Sequence, residues 1–455
     1  MNTLARELAQ WSSDLAIGAI PTSVKEVAEQ AFIDTCGVMI AGATDEIAQT
    51  MREWIAARPR PGASVVPPFG LTADPENSAL ALGVLAHALD FDDIHPAIMG
   101  HPSSVLIPVI LALGSSIEVS GERALAAYVV GAEVAAHIGR AAAVSQYHHG
   151  WHTTSTIGVL AAAVSAANLL EMSPDATSEA IGLAASTASG LRANFGSSAK
   201  PLHAGYAAYH GVVAALLARS GLRAASGALD GPLGYLDCFS GDRQAADGVA
   251  AGLGSHWELL DPGLQVKPYP CCGGAHRSID SLLDLVLDHH LEAEEIESVT
   301  ALVDPVVPTL LVYPEPRTVA EARFSLHHSL ACVLADRRLS LEHFSVSALG
   351  RQDLARLRRR VELSIHPELA QYRGELAFSE VRVVLRDGSS LSRRTDFPRG
   401  SGQRPLSQSE LERKFVDCVR LYAPHHDWMP ALEALHNLDA NGTVQTLVDA
   451  LIVAA

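Results

Sequence analysis

The segment Val-Arg-Val-Val-Leu-Arg-Asp-Gly-Ser-Ser-Leu-Ser-Arg, residues 381–393, is the clearest fold signal in the chain. Apolar and polar residues alternate on both sides of Asp387-Gly388, a dipeptide typical of a tight turn between antiparallel strands. Residues 297–303 and 361–365 also have strand patterns, and residues 317–333 between them have the pattern of a helix. Together these elements predict a small α+β domain.

The chain on either side of this region has a helical pattern instead. Apolar residues recur at helical spacing in segments such as 102–113 and 204–219, and no strand pattern of any strength precedes residue 261. Near the C-terminus, Ser407-Gln-Ser-Glu410 is a capping box that starts another helix. We therefore predict a mainly α protein. Its large all-α domain spans residues 1–265 and 399–455, and its smaller α+β domain spans residues 266–398.

Composition excludes several classes of function. The chain has 455 residues, 48% of them hydrophobic, and a formal charge of −18, which argues against nucleic-acid binding. No window of 18 apolar residues indicates a membrane span, and the first residues do not have the pattern of a signal peptide. Six cysteines are too few for a disulfide framework, so we expect a cytoplasmic protein. An acidic protein that binds an anionic substrate must place cations locally in its binding site.

The densest polar cluster lies between two apolar helical segments. It runs from His87 to His95, with three carboxylates, and continues as Gly-His-Pro-Ser-Ser at 100–104. A helix that begins at Pro102 offers free N–H groups that favour an anion, so we assign a function to Asp90 and His101. Asp92 and Asp93 have either a function or only a role in capping and turns. A divalent ion on these acids is a weaker alternative.

Two further clusters precede predicted helices. His152 is followed by the hydroxyl residues Thr153, Thr154 and Ser155, a pattern that suits a carboxylate ligand but also an ordinary helix cap. Lys200 and His203 follow a loop of small residues, and a lysine between apolar helices needs a partner if it is buried.

A fourth cluster, residues 267–277, lies at the predicted domain boundary, where ligand sites are common. It contains two cations, Lys267 and Arg277, and the adjacent pair Cys271-Cys272. These cations either bind an anion or are solvated surface charges. The chain has no HExxH, no paired CxxC, no GxGxxG after a strand and no phosphate-binding GxxxxGK[ST] loop. Zinc hydrolases, iron–sulfur dehydratases and nucleotide-dependent enzymes are therefore not supported.

Seven motifs in order give the chain a family resemblance. They are HALDFDD (87–93), GHPSS (100–104), GWHTTSTIG (150–158), KPLHAGYAA (200–208), KPYPCC (267–272), ARFSL (322–326) and RPLSQSELERKF (404–415). The sequence resembles the 2-methylcitrate dehydratase superfamily (MmgE/PrpD type), and the match spans nearly the whole chain. The resemblance implies a two-domain homodimer that needs no cofactor or metal, and a small carboxylic acid as substrate.

The resemblance also implies roles for individual residues. The residues implied to be catalytic are Asp90, His101, His152 and Lys200, and those implied to bind substrate are Lys267, Cys272, His276, Arg277, His328 and Ser103. The chain departs from the decarboxylase-like pattern, which has His in place of Cys272 and Tyr in place of His328, and from the usual Pro in place of Thr153.

The resemblance leaves the reaction open among related chemistries. Our first hypothesis is a dehydratase-like lyase that removes a proton next to a carboxylate of a di- or tricarboxylic acid. The alternatives are an epimerase of the iminodisuccinate type, a cis-aconitate-type decarboxylase and a binding protein without turnover.

Overall fold

The computed structural model describes residues 3–59, 64–241, 246–440 and 442–453. The chain forms two compact units. Unit 1 contains residues 1–193, 199–266 and 407–455, and unit 2 contains residues 194–198 and 267–406. The predicted domain boundaries, 1–265 with 399–455 and 266–398, stay predictions.

Unit 1 is helical, and its helices up to residue 241 are α1 (Leu4–Asp14), α2 (Thr22–Gly42), α3 (Glu46–Ala56), α4 (Pro75–His87), α5 (Ser103–Ile117), α6 (Gly121–His148), α7 (Thr153–Thr156), α8 (Gly158–Leu169), α9 (Pro174–Ala185), α10 (Ala199–Arg219) and α11 (Tyr235–Ser240). Among the described residues, no helix is both long enough and apolar enough to cross a bilayer.

One expectation for this region is wrong, because unit 1 also contains a small sheet. Strands β1 (Ser64–Val66) and β2 (Leu71–Ala73) pair antiparallel. Each strand has only three residues, and Pro67 and Pro68 follow β1 directly. Such short strands leave almost no alternating pattern in a sequence.

Close packing of α4 against α10 positions the polar clusters found in the sequence. Helices α4 and α10 approach so closely at two glycines that a Cβ atom built on Gly83 would lie 2.9 Å from Cα of Gly205. Small residues allow helix backbones this near to each other, and an added methyl group would separate them. Helix α4 ends at His87 and α10 begins at Ala199, so this crossing brings two of the polar clusters into one region of unit 1.

Unit 2 combines a four-stranded sheet with helices. It contains α12 (His276–Asp288), β3 (Ile296–Val303), α13 (Val307–Leu310), α14 (Val319–Ala322), α15 (Leu326–Asp336), α16 (Val346–Leu349), α17 (Gln352–Arg358), β4 (Val361–Ile365), β5 (Ser379–Leu385) and β6 (Ser390–Thr395). The strand order is β4-β3-β5-β6, in which β3 and β4 are parallel and the other pairs are antiparallel. The predicted hairpin at Asp387-Gly388 is confirmed, with a positive φ of 87° at Gly388.

The helix predicted over residues 317–333 is instead two helices, α14 and α15. Helix α14 ends at Ala322, and Ser325 caps the start of α15, since its hydroxyl accepts from the backbone N–H of His328. Within unit 2, α12 packs on β5 and β6, which buries its apolar face.

The chain returns to unit 1 with α18 (Gln408–Tyr422), α19 (Met429–His436) and α20 (Val444–Ala450). The capping box predicted at Ser407 and Glu410 is confirmed. Lys414 of α18 is buried, where its ammonium donates to the carbonyl of Phe91 over 2.8 Å and lies 2.5 Å from a carboxylate oxygen of Asp34. The C-terminal helices thus hold the loop that follows α4. The chain is mainly α, with a smaller α+β part.

Candidate active site

The loop after α4 carries the carboxyl groups of Asp90, Asp92 and Asp93 into the interior of unit 1, and the first two lie within 4 Å of a histidine nitrogen. Asp90 has a positive φ of 51°, a conformation that aspartate tolerates better than most residues. Asp92 is fully buried, and its two oxygens lie 2.8 and 3.0 Å from Nδ1 of His87 at the end of α4. A carboxylate accepts, so Nδ1 of His87 carries the hydrogen. Nε2 of His87 is buried and has no hydrogen-bond partner within the described part of the chain.

His101 faces the same two carboxylates. Its Nδ1 lies 2.8 Å from the carbonyl oxygen of Asp93 and 3.3 Å from Oδ2 of Asp92. Because a carbonyl only accepts, Nδ1 is protonated, and Nε2 is the nitrogen that can gain a proton. Nε2 lies 3.8 Å from Oδ1 of Asp90. The backbone N–H of His101 donates to the Thr154 hydroxyl over 3.1 Å, which fixes the residue just before α5.

Lys200 reaches this cluster from the first turn of α10. Its Nζ lies 3.0 Å from Oδ1 of Asp90, and the two side chains are only about 5% exposed. The expectation that a buried lysine here has a partner is therefore confirmed. The carboxylate of Asp90 lies near both a cation and an imidazole that can exchange protons.

Two more histidines lie beside this group. His152, which precedes α7, is placed by its backbone N–H bond to the carbonyl of Gly190, and its ring centroid lies 5.6 Å from that of His87. Its Nδ1 lies 3.1 Å from Nδ1 of His203, which is one turn after Lys200 on α10. Burial lowers the pKa of His203 to about 4 and holds the pKa of His152 well below its usual range, and the Lys200 charge lowers both further. Both rings are therefore neutral at pH 7.

A layer of hydroxyl groups lies behind the carboxylates. The Ser103 hydroxyl donates to Asp93 and lies 2.7 Å from the phenol oxygen of Tyr128. Burial raises the pKa of Asp93 to about 8, so this carboxyl carries its proton at neutral pH. Ser103 is fully buried and already bonded on both sides. Its predicted contact with substrate stays a prediction.

The cluster also has the composition of a cation site. Four side chains, His87, Asp90, Asp92 and His101, offer ligand atoms within 4.8 Å of one another. Lys200 lies 3.0 Å from Asp90, however, and an ammonium group repels a divalent ion at that distance. The metal-free site stays our prediction.

The residues predicted on the other side of the site belong to unit 2. Lys267 and His276 are fully buried, Cys272 is 8% exposed, and the backbone N–H of Cys272 donates to the carbonyl of Arg323. Arg277 donates to the carbonyl of Asp396 over 3.0 Å. His328 has both nitrogens engaged inside unit 2, with Nε2 2.8 Å from the carbonyl of His343 and Nδ1 3.3 Å from Arg358. Substrate contacts of these five residues stay predictions.

The sequence analysis assigned no catalytic or binding role to four side chains that the fold brings to the cluster, although it named His203 beside Lys200 and left Asp92 open: His87, Asp92, Tyr128 and His203. A signal existed for two of them. His203 lies three residues after Lys200, which puts both on one face of a helix, and His87 is the last polar group of α4 before the acidic loop. Tyr128 lies in the middle of the apolar helix α6, where a sequence does not distinguish it from a core residue.

Comparison with known proteins matches both halves of the chain. Residues 6–247 match the MmgE/PrpD N-terminal domain and residues 269–439 match the MmgE/PrpD C-terminal domain. The chain is 27% identical over 432 residues to cis-aconitate decarboxylase of Aspergillus terreus, which covers 90% of this chain and 88% of that protein. It is 28% identical over 431 residues to the human cis-aconitate decarboxylase, with 91% and 87% covered. The mouse cis-aconitate decarboxylase is 28% identical over 435 residues, with 91% and 86% covered.

Proposed function

Because this chain belongs to the MmgE/PrpD family, as its motifs indicated, we propose that it is a lyase that acts on a small tricarboxylic acid by proton transfer at a carbon next to a carboxylate. The observation that carries this proposal is the buried group in which Lys200 and His101 approach the same oxygen of Asp90. Such a group combines a cation for an anionic substrate with a proton carrier beside it.

An anionic substrate requires cations within the binding site, because the protein as a whole is acidic. The chain has a formal charge of −18, so its overall field repels a tricarboxylate. Lys200 supplies positive charge inside unit 1, and Lys267 and Arg277 are the proposed cations from unit 2. Charge on the carbon next to a carboxylate grows in the transition state, and a fixed ammonium group stabilises it.

The imidazoles supply the proton chemistry. Nε2 of a neutral His101 takes the proton from the carbon in a dehydration, and a second acid gives a proton to the departing hydroxyl, so that water is lost overall. In a decarboxylation the bond to the carboxylate breaks, its electron pair stays on the substrate carbon skeleton, and an imidazolium returns one proton to carbon. The dehydration needs a base and an acid, the decarboxylation needs the acid that returns the proton, and His101 and His152 are the two proposed groups.

The relatives favour decarboxylation, since the three proteins compared above are named cis-aconitate decarboxylases. Dehydration is the second candidate, because Cys272 and His328 differ from the decarboxylase-like pattern and His328 is bonded inside unit 2. We therefore propose a cis-aconitate-like tricarboxylic acid as the substrate. The experiment below distinguishes loss of carbon dioxide from loss of water.

The test is incubation of the protein with cis-aconitate, citrate, 2-methylcitrate and iminodisuccinate in deuterated buffer, followed by NMR. Release of carbon dioxide or water from a tricarboxylic acid, with deuterium on carbon in the decarboxylation, supports the proposal. Inversion of iminodisuccinate with deuterium uptake would replace it with an epimerase. Absence of turnover and of deuterium exchange with every acid would contradict a lyase and favour a binding protein.

A further inference from the structure

The contact between His152 and His203 differs from the other buried histidine contacts of unit 1. Nδ1 of one ring lies 3.1 Å from Nδ1 of the other, and the ring centroids are 5.3 Å apart. A hydrogen bond between two imidazole nitrogens needs one hydrogen, so one ring is protonated at Nδ1 and the other is not. The tautomers of the two rings are therefore linked.

Ordinary structural histidines in this chain satisfy a ring nitrogen with a backbone carbonyl. His137 faces the carbonyl of Val249 over 2.8 Å, and His95 faces the carbonyl of Glu258 over 3.0 Å. The partner of His203 is instead a second titratable ring in the site. The backbone passes close to this ring at Gly190, where an added Cβ atom would lie 3.3 Å from Cγ of His203.

The other two rings of the site show what such a partner does. Nδ1 of His87 donates to the Asp92 carboxylate, and Nδ1 of His101 donates to the carbonyl of Asp93. Each ring thereby leaves Nε2 as the nitrogen that exchanges protons. His203 occupies the equivalent position for His152, with a neutral imidazole as the acceptor.

The direction of the bond follows from burial. His203 is 7% exposed and His152 only 1%. We therefore assign the donor role to the more deeply buried ring, His152, and the acceptor role to His203, the ring with more access to solvent.

We infer that His203 is a positioning residue that accepts a hydrogen bond from Nδ1 of His152 and thereby keeps the hydrogen of the neutral His152 ring on Nδ1, so that a proton taken up during turnover goes to Nε2. This inference rests on the proposed function, in which His152 exchanges a proton with substrate. When Nε2 takes the proton, the bond to His203 becomes charge-assisted and stabilises the imidazolium. The pair accepts one extra proton, because a second would bring two N–H groups face to face.

The first test needs no substrate. In protein labelled with 15N-histidine, His152 is assigned from the spectrum of the His152→Gln variant, and its ring shifts show which nitrogen carries the hydrogen. We expect Nδ1 to be protonated and Nε2 unprotonated at pH 7. Protonation at Nε2 in the wild-type protein would overturn the inference, whatever the substrate is.

The second test separates the hydrogen bond from ring packing. In His203→Asn the amide oxygen lies where Nδ1 was and still accepts, whereas His203→Leu fills the space without an acceptor. We expect His203→Leu to mix the tautomers of His152 and to lower kcat about 10- to 100-fold with little change in KM, and His203→Asn to retain most activity. Equal loss in both variants, with the His152 tautomer unchanged, would show a packing role only.

A third variant moves the pH dependence in a known direction. His203→Asp replaces the neutral acceptor with a carboxylate, which favours imidazolium at His152, so the limb of the pH profile that reports His152 moves upward by about one pH unit or more. The matched control is His210→Asn on the same helix, a half-buried residue whose ring contacts Tyr206 and Tyr209 outside the site. An unmoved profile in His203→Asp would overturn the inference even if the lyase activity is found.

Discussion

Nζ of Lys200 lies 3.0 Å from Oδ1 of Asp90, and both side chains are withdrawn from solvent. An ion pair of this kind is costly to desolvate, so it contributes less to stability than its Coulomb energy suggests. Removal of one partner, however, leaves the other charge buried alone. Comparison of single and double variants of this pair therefore separates an effect on stability from an effect on the proposed reaction.

Lys200→Met leaves Asp90 without its cation, so we expect the free energy of unfolding to fall by about 3–5 kcal/mol. The double variant Lys200→Met/Asp90→Asn removes both charges, and asparagine tolerates the positive φ of 51° at this position. We expect it to regain most of the lost stability but no lyase activity. Denaturant unfolding and steady-state kinetics measure the two effects. Full activity in Lys200→Met would remove this residue from the site.

His101→Asn tests the proton carrier. The asparagine amide still donates to the carbonyl of Asp93, so the fold is retained, but no group remains that exchanges protons at the Nε2 position. We expect kcat/KM to fall about 10²- to 10⁴-fold, with Tm nearly unchanged. The control is His148→Asn, an exposed histidine at the end of α6. A loss below about threefold would exclude His101 as an acid or base.

The raised pKa of Asp93 predicts that the stability of the protein depends on pH. Its pKa of about 8 in the folded protein exceeds the value near 3.9 expected for an unfolded chain, so the folded state binds the extra proton between these values. Stability therefore falls as pH rises through this window, by at most about 1.4 kcal/mol per pH unit. Asp93→Asn resembles the protonated carboxyl and lacks this loss.

The measurement is denaturant unfolding of both proteins at pH 5, 6, 7 and 8. We expect the stability of Asp93→Asn relative to wild type to increase with pH. The comparison cancels other buried acids, such as Glu133, whose pKa burial raises to about 7. A difference that does not depend on pH would mean that Asp93 is ionised in the folded state.

Gly205→Ala tests the crossing of α4 and α10. The new methyl carbon would lie 2.6 Å from the carbonyl oxygen of Leu80 and 2.7 Å from Cγ2 of Val84, so the helices must separate. We expect a loss of about 1–3 kcal/mol in unfolding free energy and a lower kcat, because Lys200 and Asp90 move apart. Gly18→Ala is the control, since no atom lies within 4 Å of its added carbon. Equal stability of both variants would contradict the close packing.

The prediction of a metal-free site is tested by metal analysis of the purified protein and by dialysis against a chelator. We expect less than stoichiometric metal and unchanged kcat/KM, because the Lys200 ammonium group lies 3.0 Å from Oδ1 of Asp90 and repels a divalent ion there. Loss of activity on chelation, restored by one divalent ion, would assign His87, Asp90, Asp92 and His101 to that ion instead.

Much of the fold was readable from local patterns. The hairpin at Asp387-Gly388 and the helix cap at Ser407 were predicted correctly because each depends on a few neighbouring residues. The break between α14 and α15 was missed, because the apolar residues Phe324 and Leu326 flank Ser325, which acts as a cap only once the chain turns there. Strands β1 and β2 were missed because three residues are too short for a period.

The sequence by itself determined the helical and α+β regions, the family, and the candidates Asp90, His101, His152 and Lys200, since motifs and periodicity are local properties. Tertiary structure alone decided which nitrogen of His101 faces a carbonyl and that His203 is the partner of His152. Tertiary structure likewise determined that Asp93 is buried deeply enough to stay protonated. Hydrogen-bond geometry and desolvation depend on atoms from α4, α5, α7 and α10 together, and their spacing in the chain does not encode those distances.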